Sequence, residues 1–153
     1  MPLLSILLTA ADPSILGRVD KASLSTQALM EIFIEGIENR EIISGCAEEP
    51  NDFDKWNGFE YVEEQPADAA VKLINIYWVE LGLAGTIDLQ WLPPAIRSLS
   101  IRDNELSGSL NLTALPPSIQ LLECRSNGFS GEIDLCRLPA EIEDLYLSIN
   151  HLS

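Results

Sequence analysis

Residues 96–118 read IRSLSIRDNELSGSLNLTALPPS, and the same grammar restarts at residue 119 as IQLLECRSNGFSGEIDLCRLPAE and at residue 142 as IEDLYLSINHLS. The period is 23 residues without slippage. No other feature constrains the chain as much, because a fixed period in this range marks a solenoid in which no single unit can bury its apolar face alone. Leu99, Leu122 and Leu145 form one column, Ile101, Cys124 and Leu147 the next, and Asn104, Asn127 and Asn150 a third. Leu106, Phe129 and Leu152 follow, then Gly108 and Gly131. A degenerate copy starting at Leu73 puts Ile76, Trp78, Leu83 and Gly85 in the same columns.

The Asn column has a physical task. A side-chain amide can bond backbone groups of adjacent coils and satisfy polar atoms that a tight turn would orphan. Leu81 stands at that position in the first copy, so that coil is expected to be irregular. Gly85, Gly108 and Gly131 fall where a turn needs positive φ or close backbone approach. Leu-Pro-Pro at 92–94 and 115–117, and Leu-Pro at 138–139, oppose a regular helix, so extended or 3₁₀ segments are expected there.

Upstream, the pattern is helical. A helix start lies at 23–26, after which Leu29, Ile32, Phe33 and Ile37 share one face, with Glu31, Glu35 and Glu38 opposite and Gly45 as a terminator. Asp12-Pro13-Ser14 marks an earlier stop and restart. Aromatic and β-branched residues at 56–62 predict a short strand, and 71–78 another.

Together the columns spell LxxLxLxxNxLxGxIxxL, which resembles the leucine-rich repeat family, in its plant-type and protist subclass. The resemblance implies an α/β solenoid: a short right-handed coil with a parallel concave sheet and an α-helical N-terminal cap. It divides the chain into a cap over 1–70 and repeats over 71–153, three coils plus a partial fourth. Trp56 and Gly58 match the WxG strand of the plant-type cap, and the Gly-x-Ile/Leu-x-Leu stretch resembles the extra short strand of those repeats. Tyr61 stands where that cap has a cysteine, and Cys46 has no upstream partner.

Composition removes several functions. With 24 acidic against 9 basic residues the net charge is −15, which disfavours nucleic acid and anionic membranes. Three cysteines make no disulfide framework and read as reduced thiols of a cytoplasmic protein. The opening PLLSILLTAA lacks a charged leader and falls short of the roughly 20 residues of a membrane span, so a short amphipathic or capping helix is expected, with secretion as the alternative. His151 is the only histidine, and no catalytic set, metal site or cofactor motif is present in the sequence. Asp88, Asn111 and Asp134 form an oxygen-bearing column, but one carboxylate per coil falls short of what Ca²⁺ needs.

What remains is a non-enzymatic protein-binding module. Residues alternating with core leucines point to the concave face. Tyr77, Val79, Arg102, Glu123, Arg125 and Tyr146 are its candidate site. Arg102 and Arg125 fall on neighbouring strands, either as two offered guanidiniums or as charges neutralised by Glu123 and Asp103. The alternative function is assembly: the chain stops soon after Asn150, so Leu145, Leu147 and Leu152 are expected at an uncapped edge that self-associates, as a two-fold dimer.

Overall fold

The computed structural model describes residues 20–46, 48–63 and 65–153. The expectations for PLLSILLTAA and Asp12-Pro13-Ser14 lie outside the described residues. Among the described residues two short α-helices, α1 (Thr26–Phe33) and α2 (Glu41–Ser44), precede nine strands. β1 (Phe59–Tyr61), β2 (Ile74–Tyr77), β4 (Ile96–Ser100), β6 (Leu121–Glu123) and β8 (Asp144–Tyr146) form the concave sheet in that order. β1 runs antiparallel to β2 and the rest are parallel. A second parallel sheet takes β3 (Ala84–Thr86), β5 (Glu105–Gly108), β7 (Gly128–Gly131) and β9 (His151–Leu152). Its strands end near the turn glycines, so they lie slightly earlier in each period than the Gly-x-Ile/Leu-x-Leu stretch expected to form them.

The columns become the core. Leu99 pairs with Leu122 and Leu122 with Leu145, as the period requires. Leu99, Ile101, Leu122, Cys124, Leu106 and Phe129 are fully buried between the two sheets. Register fails at one place. Ile74, not Leu73, pairs with Ile96, and Asn75 then pairs with Ser98, so Arg97 is a bulged residue opposite nothing on β2.

Each ladder asparagine reaches back to the coil before it. Asn104 Oδ1 accepts from the backbone N–H groups of Leu81 and Leu83, at 3.1 and 3.0 Å, while its Nδ2 donates to the carbonyls of Trp78 and Ile101. Asn127 serves Leu106 and Ile101, and Asn150 serves Phe129 and Cys124, in the same way. An asparagine at position 81 would therefore have no earlier coil to serve. The first coil is irregular, as expected, but at Ile74–Asn75 where it slips against β4, while β3 beyond Leu81 pairs in register with β5. Part of the equivalent job falls to the cap: Asn39 donates to Gly82 O and accepts from Ala84 N at 2.9 and 3.0 Å.

Immediately before the ladder position, Glu80, Asp103, Ser126 and Ile149 all take positive φ of 54–56°. This left-handed residue turns the chain after the concave strand and carries the next side chain inward. Ile149 bears the greatest strain, since a β-branched residue is a true outlier there.

The cap differs from expectation in two respects. Ser25 accepts from Ala28 N and starts α1, but the helix ends at Phe33, short of Ile37. The chain leaves the helix to extend the second sheet: Thr86 N donates to Gly36 O and Glu38 N to Ala84 O, both at 2.9 Å. Ile37, wholly buried, thus joins the core as a bridge to Gly85. A Cβ on Gly85, at φ 103°, would meet Gly36 O at 2.2 Å, so only glycine permits this approach. Glu31, expected on the solvent face, is buried because Gln27 donates to its Oε1 at 2.6 Å. Gly45 ends α2 in the left-handed conformation, as expected.

Met30, Phe33, Ile34, Ile37 and Ile43 from the cap belong to the same cluster as Ile76, Trp78 and Leu83 of the first coil. Phe33 stacks on Trp78 with centroids 6.1 Å apart. Both buried indoles are satisfied, Trp56 by Asn51 O and Trp78 by Asn57 O. On the convex side 3₁₀ turns occupy Leu89–Trp91 and Leu112–Ala114, just ahead of the prolines. The oxygen-bearing column caps this side: Asp88, Asn111 and Asp134 accept from Gln90 N, Thr113 N and Cys136 N respectively.

Candidate functional site

The concave face has two rims of different character. On the upper rim Glu123 lies between two guanidiniums. Its Oε1 is 3.0 Å from Arg125 Nε, without the alignment of a hydrogen bond, and its Oε2 is 3.7 Å from Arg102 Nε. Ser100 also donates to that carboxylate, at 2.7 Å. Arg102 pairs further with Asp103, and Glu80 stands 3.9 Å away. Desolvation pushes the Asp103 carboxyl up, but hydrogen bonds from Arg102 and Ser126 and the two guanidinium charges together bring it below the usual carboxylate range. Of the two arrangements open from the sequence, the structure holds the neutralised one. Arg102 and Arg125 are members of an ion network, not a free basic pair.

Two tyrosines project from this face. Tyr77 and Tyr146 are 42% and 46% exposed and lie on β2 and β8, with β4 and β6 between them. Partial desolvation, then Glu60, holds the Tyr77 phenol above its usual range. Asp144, which accepts from the Tyr146 hydroxyl at 3.3 Å, does the same for Tyr146. Val79 is half-buried two residues beyond the end of β2.

The lower rim was not singled out from the sequence. Two adjoining clefts of about 310 and 270 Å³ open there and share Asn75 and Arg97. Their floor is the row of paired residues Glu60, Asn75, Ser98, Leu121 and Asp144, one from each strand of the sheet.

This architecture is shared with solved structures. The chain superposes on the LRR ectodomain of the receptor kinase SOBIR1 from Arabidopsis thaliana with a TM-score of 0.56 and 20% identity, over 84% of this chain and 69% of that one. It matches a chain of the BIR3–SERK2 complex from Arabidopsis thaliana with a TM-score of 0.51 and 20% identity, over 82% and 81%. The chain has the leucine-rich repeat fold. No protein-family model matches the sequence, and no curated protein does.

The coil of this leucine-rich repeat fold that bears Asn150 is less bare than its sequence suggested. Leu145, Leu147 and Leu152 are half-buried and pack on the main core. Ile149, 74% exposed, is the prominent apolar residue at that edge. Cys46, Cys124 and Cys136 are free thiols, and burial pushes the Cys124 thiol far up. Among the described residues no group of three or more His, Cys, Asp or Glu could hold a metal ion, and no helix is long and apolar enough to cross a membrane.

Proposed function

We propose that the protein is a non-enzymatic protein-binding module that takes a protein or peptide partner on its concave face. The observation that carries this is the pair Tyr77 and Tyr146, large aromatic groups left half in water at either side of a polar, cleft-bearing sheet. Tyrosine supplies large contact area at small entropic cost and is enriched where binding energy concentrates. The ion network on Arg102, Glu123 and Arg125 supports the face by fixing its upper rim, so Val79 and that network frame the site. The free thiols suit the reducing compartment expected from the sequence.

The test is capture of partners from native lysate by the chain and by a Tyr77→Ala/Tyr146→Ala variant. Each truncation at a hot spot costs about 2 kcal/mol or more, so the pair is expected to abolish capture while leaving the melting curve unchanged. Undiminished capture by a folded variant overturns the concave-face assignment.

A second reading is self-association through the coil that bears Leu145, Leu147 and Leu152, favoured by the exposed Ile149 on it. Sedimentation across micromolar concentrations is then expected to reveal a dimer that Leu147→Lys dissociates. A monomer throughout ends that reading.

A further inference from the structure

The two rims differ in how their charges are met. On the upper rim each guanidinium has a carboxylate within 4 Å. On the lower rim Arg97 has none, and Glu60, Glu143 and Asp144 have no Lys or Arg within that distance among the described residues. Arg97 is held through Nε, which donates to Gln120 Oε1 at 2.6 Å, leaving its terminal nitrogens free of ion pairs. It is also the bulged residue of β4, and a bulge is a device that re-aims a side chain. Arg97 is half-buried while Glu60, Glu143 and Asp144 are exposed, and the contacts these charges make are with neutral groups: Gln120 for Arg97, Asn75 for Glu60 and Tyr146 for Asp144.

Their order is regular. Glu60 lies on β1, Arg97 on β4 and Asp144 on β8, each two strands from the next in the sheet order. Strands are about 4.8 Å apart, so these three residues place minus, plus, minus at intervals of about 10 Å across the sheet, with Glu63 and Glu143 adding negative charge at its two ends. A ligand of matching shape carries plus, minus, plus at the same interval on one face. An ordinary extended strand fails, because residues three apart face opposite ways. A polyproline II segment succeeds: it has three residues per turn and advances about 3.1 Å per residue, so every third side chain returns to one face about 9.3 Å on. Such segments dock in grooves lined by aromatic rings, and Tyr61 and Tyr77 stand beside these clefts.

We infer that the partner presents a polyproline II segment of the form Lys/Arg-x-x-Asp/Glu-x-x-Lys/Arg, laid across the lower rim with its acidic side chain on Arg97 and its basic ones on Glu60 and Asp144. This rests on the concave-face reading and specifies the chemistry of what binds there. Lys72 already lies over one face of the Tyr61 ring, 5.2 Å from its centroid.

The test uses three fluorescein-labelled peptides and the full chain, read by anisotropy: GKPAEPAKPG, its isomer GEPAKPAKPG, and the charge-reversed GEPAKPAEPG. The first is expected to bind at least about tenfold more tightly than either of the others, the sum of a few exposed ion pairs. Arg97→Gln, with its fold checked by circular dichroism, is expected to narrow the gap between the first peptide and its isomer. Equal binding of the isomer, or no saturation of the first peptide below about 1 mM, overturns the inference. If the first peptide is preferred yet Tyr77→Ala/Tyr146→Ala leaves its affinity unchanged, the anchoring role of the two tyrosines fails instead. If that variant abolishes capture from lysate but the peptides do not discriminate, the reading stands and the charge pattern alone is wrong.

Discussion

Removal of residues 1–45 is expected to leave a chain that no longer unfolds cooperatively and that precipitates or binds hydrophobic dyes. Met30, Phe33, Ile34, Ile37 and Ile43 are each at most 2% exposed and share one cluster with the first coil. Burying such side chains is worth about 1.5–3 kcal/mol apiece, so five of them contribute roughly 7–15 kcal/mol, as much as the stability of a whole domain. Trp78, Leu83 and Ile76 would face water in their place. The same cut removes Asn39 and the Gly36–Glu38 bridge, orphaning backbone groups of β3. Phe33→Ala tests the contact more gently, with an expected loss of about 3–5 kcal/mol in urea unfolding. A soluble, cooperatively melting 46–153 fragment would mean the helices form an arm of their own.

Asn104→Ala is expected to cost about 3–5 kcal/mol with no change in apolar burial. Two backbone N–H groups, of Leu81 and the wholly buried Leu83, lose their acceptor together, and each unsatisfied group costs about 1–3 kcal/mol. The carbonyls of Trp78 and Ile101 lose a donor as well. Asn104→Asp is expected not to restore stability at neutral pH, because its carboxylate would face those two carbonyl oxygens. A loss under about 1 kcal/mol for Asn104→Ala would show that water replaces the amide.

Much of this was legible because it repeats. The leucine, asparagine and glycine columns gave register, core and turn directly, since a side chain that must meet its neighbour one coil away has to recur. The cap strand at Phe59–Tyr61 was visible from its aromatic residues. What escaped was what does not recur. Leu73 and Ile74 are both apolar, so the sequence alone could not place the slip of one residue that frees Arg97. Asn39 stands outside the period, and nothing local marks it as the partner of Ala84. The left-handed column holds Glu, Asp, Ser and Ile, with no shared chemistry to betray it. At the candidate site the sequence identified the upper rim but left open whether its charges cancel; that depended on the position of Glu123 between two arginines.

The backward reach of the asparagines makes length an adjustable property of this molecule. Because each of three coils is completed by the amide one period later, excising residues 104–126 would join Asp103 to Asn127, and Asn127 would inherit the task of Asn104. The insertion of a duplicated period works by the same rule. Beyond the slip between β2 and β4 the junctions are alike, so a recombination event that respects the period there changes the width of the concave sheet by one strand while leaving the cap and the flanking coils as they were. A lineage carrying such a chain can therefore alter the span between Tyr77 and Tyr146, and with it the length of what fits between them, in single steps that never require a new fold.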